Sequence, residues 1–235
     1  MTARTKHSEA TLSASMKMAE LLGYDSSLLG VLPRMGIGFG FGDDTVEQAC
    51  TKSGVNPATF LLICNVYAFD DYVPTPETLH GARLQDILTY LHSSHSYYID
   101  VAINNLARLL ENLIAPCNEM YKKIIRKFFT DYKEELLGHF RYEEEKVFPY
   151  VRSVLEHKGS DYNIMQYETN HSNVEEKLGD LRNIIMKYLP KECDNTAISV
   201  VLSNLWLLER DLHRHTVIED EILVPIVNSM EEHGR

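Results

Sequence analysis

HFRYEEEKVFP (residues 139–149) and HTVIEDEILVP (residues 215–225) repeat one skeleton: histidine, three residues, glutamate, four residues, a bulky apolar residue, proline. In a helix each copy sets an imidazole and a carboxylate one turn apart on the same face. Which face that is decides what the pair does. Along the second long helical segment the apolar stripe reads Ile125, Phe128, Tyr132, Leu136, His139, Glu143, Val147. Along the last it reads Val201, Leu205, Leu208, Leu212, His215, Glu219, Ile222, Ile226. Both pairs therefore fall on the core-facing stripe. Buried there, a carboxylate and an imidazole are costly unless paired, hydrogen-bonded or bound to a metal. The ten histidines and 21 glutamates of this chain yield about one H-x-x-x-E match by chance. The chain holds three, the third being His171/Glu175, and only the first two share the downstream proline and the buried face.

Composition narrows the partners. The 235 residues are 44% apolar with a formal net charge of −11, enough for a packed core and without a basic stripe. Nucleic acid and an anionic membrane are therefore not the expected partners. The four cysteines (Cys50, Cys64, Cys117, Cys193) are scattered and form no C-x-x-C pair, which excludes a zinc knuckle and suits a reducing compartment. The N-terminus MTARTKHSEATLSASM has no apolar core of signal-peptide length, and no apolar run is long enough to span a bilayer. A cytoplasmic protein is expected.

The chain changes texture near Thr75, and the expected division is residues 1–75, a small helical domain, and 76–235, a helical bundle. In the first region DDTVEQAC offers Asp44 as an N-cap with Glu47 three residues on, and VNPATFLLICNVY offers Asn56 as a cap with Pro57 at the first helical position. Ahead of both, RMGIGFGFGDD spaces its glycines unlike a phosphate-binding loop and reads as a turn. From Thr75 on, apolar residues recur at three and four spacing in four long helices. The first runs to Pro116, the second over about 117–157 to Gly159, the third from Ser160/Asp161 to Pro190, the fourth from Asp194 to about Met230. Joined by short connections, they predict an all-α, antiparallel up-down bundle. Pro149 and Pro225 each remove a backbone hydrogen bond, so each helix is expected to kink or end there.

Two H-x-x-x-E pairs supply two imidazoles and two carboxylates, and a carboxylate can bridge two cations. Further nitrogen ligands are at hand. His171 lies in the third helix, and YLHSSHSYY places His92 and His95 three apart in the first. This donor set suits iron, zinc or manganese. A ferritin-like site needs Glu-x-x-His on two helices, and only Glu168/His171 has that spacing. His213 points away from His215 and reads as surface, Trp206 reads as core or interface, and Tyr142 stands beside Glu143.

Taken together, these motifs resemble the hemerythrin-like family, bearers of the HHE cation-binding domain. His139-x-x-x-Glu143 with Phe148-Pro149 is similar to that family's second-helix signature, His215-x-x-x-Glu219 to its fourth, and His171 to its third. The resemblance implies a four-helix bundle holding two iron ions bridged by Glu143 and Glu219 and capped by His139, His171, His215 and His92, with or without His95; other divalent metals remain compatible. The family places a further histidine near the C-terminal end of the first helix, where ENLIAPCNE has none. Either His92 and His95 both ligate, or one does and Asn112, Glu111, Glu119 or water completes the set. With LLGVLPRMGIGFGFGDDTVEQAC at its head, the whole chain also resembles the iron–sulfur cluster repair proteins (repair of iron centres). It departs from them at Phe39 and Gly40, where they carry adjacent cysteines. The resemblance implies a role in oxidative or nitrosative stress, O₂ or nitric oxide as ligand, damaged iron–sulfur proteins as partners, and a homodimer. The alternative is an O₂ or nitric-oxide binding or sensing module without repair activity. No hydrolase or transferase constellation is present, and a conventional enzyme is not expected.

Overall fold

The computed structural model describes residues 12–157, 162–170, 176–190 and 193–233. Every regular element among them is helical apart from one isolated bridge between Lys17 and Thr45. The chain divides into two compact units, Met1–Tyr90 and Leu91–Arg235.

The first unit holds α1 (Met18–Leu22), α2 (Leu28–Arg34), α3 (Val46–Ser53), α4 (Pro57–Ala68), α5 (Pro76–His80) and the start of α6 (Leu84–Tyr97). Helices α2 and α3 both pack on α4, whose Phe60, Leu62, Ile63 and Val66 are buried. Helix α4 begins as its sequence predicts: the Asn56 side chain accepts from the Thr59 N–H at 2.9 Å and Pro57 occupies the first turn. Helix α3 is capped one residue later than expected. Thr45, in extended conformation, accepts from the Gln48 N–H while the Gln48 side chain takes the Thr45 N–H in return. Asp44 pairs instead with Lys52 at 2.7 Å. The glycine-rich connection between α2 and α3 turns through left-handed backbone at Gly36 (φ 73°) and Gly40 (φ 86°), conformations that residues with a Cβ rarely take.

The second unit is built from four rods. The first continues α6 through a widened π-helical turn, Tyr98–Ala102, into α7 (Ile103–Ile114). The second is α8 (Glu119–Tyr142), a π-helical turn at Glu143–Val147, and α9 (Phe148–Leu155). The third comprises α10 (Ile164–Asn170) and α11 (Glu176–Tyr188). The fourth is α12 (Asn195–Ile218), a π-helical turn at Glu219–Leu223, and α13 (Val224–His233). Asn118 caps α8 through the Tyr121 N–H and Asp194 caps α12 through the Ala197 N–H, each a short polar side chain satisfying an orphan donor. Helix α7 packs against α8 and α12, and α11 packs against the same two, so the rods close a ring. Inside it lie Leu106, Leu110, Ile125, Leu136, Leu181, Ile185, Leu205 and Leu212, all essentially without exposure.

Neither proline ends its rod. Pro149 and Pro225 stand just beyond the π-helical turns, in which the Phe148 N–H reaches back to the Glu143 carbonyl and the Val224 N–H to the Glu219 carbonyl, five residues away. The carbonyl a proline ring would crowd, four residues back, lies inside the widened turn, and the helix runs on. Proline is not the whole cause, because the first rod widens identically at Tyr98–Ala102 with no proline following. Common to all three turns is the residue that opens them: Tyr98, Glu143 and Glu219 are each completely buried.

Candidate metal centre

The widened turns of the second and fourth rods bring the carboxylates that open them to one place. The stripe reading puts His139 and His215 one turn before Glu143 and Glu219, and the structure turns all four inward: side-chain exposures are 7% and 2% for the histidines and 0% for both carboxylates. His139 Nε2 lies 3.0 Å from Glu143 Oε1, and His215 Nε2 lies 3.2 Å from Glu219 Oε1. From the first rod His95 enters between them, its Nε2 3.1 Å from Glu143 Oε2 and 3.2 Å from His215 Nε2. His95, Glu143, His215 and Glu219 each offer a donor atom, and these atoms all lie within 4.8 Å of one another. Two ligands about 2.1 Å from one ion stand no more than about 4.2 Å apart, so a slight contraction closes this group around a cation.

The ring of His95 is fixed on every side. It stacks on Phe140 at 4.2 Å and on Phe148 at 5.4 Å. Its Nδ1 lies 2.7 Å from Glu144 Oε1. An Nδ1–H donated to that carboxylate leaves the Nε2 lone pair facing the cluster, the tautomer a metal needs. Burial alone would lower the His95 pKa, but hydrogen bonds to Glu143 and Glu144 and the charges of Glu143 and Glu219 overcome it and raise it to about 9. Burial and the neighbouring Glu219 charge push the Glu143 carboxyl up, yet its histidine partners outweigh them and hold it below the ordinary carboxylate range. Partial burial likewise acts against the Glu144 carboxylate, and hydrogen bonds from His95 and His92 hold its pKa down.

His92 is not part of this cluster. Its side chain is 59% exposed and its Nδ1 approaches Glu144 Oε1 at 2.9 Å from outside. A three-residue step rotates the second ring by roughly 60° around the helix, enough to separate an inward imidazole from one at the rim. The other candidates for completing the set also lie elsewhere: Glu111 pairs with Arg126 and Glu119 with Lys122, both on exposed surface. His171 and Glu175 lie outside the described residues. His213 is exposed, and Trp206 is half-exposed with the Arg182 guanidinium 5.1 Å over its ring.

Two participants carried no recognisable spacing. Glu144 is one. The other is Tyr167 on α10, fully buried, which donates its hydroxyl to Glu143 Oε1 at 2.7 Å. Burial and the charges of Glu219 and Glu143 push its phenol well above the usual range, so it remains a donor. Tyr142, the tyrosine adjacent in sequence, faces outward and meets the Tyr162 hydroxyl at 3.0 Å.

The Glu143 carboxylate is thus divided, Oε1 toward His139 and Tyr167, Oε2 toward His95. His215 Nδ1 is buried without a hydrogen-bond partner among the described residues. Two fully buried carboxylates facing two imidazoles form an anionic pocket that a cation completes. These features define a metal-binding helical bundle with mixed imidazole and carboxylate donors. Residues 86–227 match the family model described as Hemerythrin HHE cation binding domain, more than half of the chain. The chain belongs to that family, and its fold is all-α and hemerythrin-like. No curated protein matches the chain. Among the described residues no helix is long and apolar enough to cross a membrane.

Proposed function

We propose that the second unit holds a carboxylate-bridged pair of iron ions that meets O₂ or nitric oxide in the cytoplasm during oxidative or nitrosative stress. The division of Glu143 between two histidines on two different rods carries this reading, because a carboxylate presented with one oxygen to each side is disposed to bridge. Glu219, His215 and His95 would hold one ion and His139 the other, with Glu143 between them; His171, the further ligand the resemblance implies, lies outside the described residues. Bound there, iron supplies a redox-active centre with positions open to a diatomic ligand. The protein's own part is to fix the donors and their protons. Glu144 holds His95 by Nδ1, Tyr167 keeps a hydroxyl on Glu143, and the aromatic wall of Phe140, Phe148 and Tyr98 limits water.

Whether the centre repairs iron–sulfur clusters or only binds its ligand turns on the first unit. Repair by thiol transfer needs an exposed, ionisable cysteine. Here Phe39 and Gly40 stand where the repair relatives carry a cysteine pair, and Cys50 and Cys64 are both fully buried. Burial and the Asp86 charge push the Cys50 thiol to about 12. That observation favours binding or sensing over repair. The test is to load the protein with ferrous iron anaerobically and then admit O₂ or nitric oxide. Binding or sensing predicts a visible-absorption change that reverses when the gas is removed, with iron retained. Iron loss, together with reactivation of an oxidatively damaged iron–sulfur enzyme in a coupled assay, would establish repair, with the damaged enzyme as partner.

A further inference from the structure

The second and fourth rods repeat each other element by element. Helices α8 and α12 are both 24 residues long, each is followed by a five-residue π-helical turn, and each is preceded by a capping residue and a cysteine. Cys117 and Cys193 are separated by 76 residues, the offset that also relates His139 to His215, Glu143 to Glu219 and Pro149 to Pro225. Equivalent positions on two rods related by an approximate two-fold approach one another only near its axis. The carboxylates do so at one level of the bundle and the cysteines at another. Cys117 Sγ and Cys193 Sγ lie 3.0 Å apart.

This pair stands apart from the metal centre. His139 and His215 fall in the last turns of helices 24 residues long, so the sulfurs lie roughly 30 Å from the imidazoles. Each cysteine follows a rod's end: Cys117 sits in the connection from α7 to α8, Cys193 in that from α11 to α12. Both belong to the apolar core cluster, with 6% and 5% exposure, so a small uncharged oxidant reaches them more readily than a bulky disulfide does. Among the cysteines Cys50 and Cys64 have thiols held up by burial, which leaves them inert.

We propose that Cys117 and Cys193 are a reversible dithiol–disulfide pair oxidised by hydrogen peroxide, tying the two rod connections at one end of the bundle. One sulfur attacks a peroxide oxygen, giving a sulfenic acid and one water; the other sulfur then displaces the hydroxyl, which leaves with the remaining thiol proton as a second water. The two thiols lose two electrons and hydrogen peroxide gains them. Closing a loop of this length restricts the unfolded chain, so the oxidised bundle resists thermal unfolding more than the reduced one.

The test treats full-length protein with a slight excess of hydrogen peroxide, alkylates it under denaturing conditions and reads the intact mass. The expected result is a fall from four alkylated thiols to two, a Cys117–Cys193 linked peptide on non-reducing digestion, and full recovery of four thiols with dithiothreitol. Cys193→Ser should form no intramolecular link under the same treatment, and any oxidation of its Cys117 should stop at a sulfenic acid that dimedone traps. Four persistent thiols in the wild type, consumption of Cys50 or Cys64 instead, or a link between two chains would overturn the proposal.

Discussion

At the scale of the residue, the centre depends on which histidine of the first rod faces inward. The H-x-x-x-E pairs were legible in the sequence because a four-residue step on an apolar stripe leaves both side chains in the core. The choice between His92 and His95 was not, since both lie near the stripe and only packing on Phe140 and Phe148 selects one. Glu144 and Tyr167 left no trace either: one is hidden in a run of three glutamates, the other in a segment whose spacing points elsewhere. The placements separate in experiment. His95→Ala should abolish high-affinity metal binding, whereas His92→Ala should change it less than a few-fold. Glu144→Gln, which keeps the shape but weakens the hold on His95 Nδ1, should lower affinity by roughly 10–100-fold. A competition titration against a chromophoric chelator reads all three. Equal losses for His92→Ala and His95→Ala would contradict the geometry.

At the scale of the element, periodicity predicted the long helices, and cap chemistry placed Asn56 correctly at the head of α4 but Asp44 one residue early for α3; neither could predict π-helical turns. A π-helical turn inserts one residue without ending the helix, so upstream and downstream apolar stripes both look regular, only displaced. Read as an α-helix, Pro149 implies a kink or an end; in the widened turn it is accommodated and the rod continues. Deletion of the exposed Lys146 from the Glu143–Val147 turn should restore ordinary helical bonding and rotate either Glu143 or Val147 out of the core. Far-UV circular dichroism is expected to stay close to wild type while bound metal falls by more than half. Retained metal would show that the turn does not position the carboxylate. Leu212 is 1% exposed in the bundle core, and Leu212→Ala should cost about 2–5 kcal/mol in denaturant unfolding.

For the whole molecule, protons and metal compete for one pocket. In the metal-free protein the His95 pKa stands at about 9 against an ordinary 6.5, so the folded state binds the extra proton between those values. Its contribution to stability is complete below pH 6.5 and lost as pH rises through about 9. The Glu143 contribution runs the other way, present above its ordinary value of 4.5 and lost on acidification. Thermal melts of chelated protein should therefore show bundle stability declining from pH 6.5 to above pH 9, and a midpoint that rises over that span would contradict it. Metal must displace the His95 proton, so affinity should climb about tenfold per pH unit over the same window. The all-α architecture could be read from periodicity, and the equivalence of the second and fourth rods from a skeleton repeated 76 residues apart. The meeting of Cys117 with Cys193 could not, because cysteines that look scattered along a chain become neighbours only once an internal two-fold is built. The central claim is that His95, Glu143, His215 and Glu219 converge to hold metal, and iron content after anaerobic reconstitution and removal of unbound ion tests it most directly. About two iron ions per wild-type chain are expected, with near-complete loss in Glu143→Gln and Glu219→Gln chains that keep their helical spectrum. A wild-type chain that emerges without iron, or variants that retain as much as wild type, would contradict it.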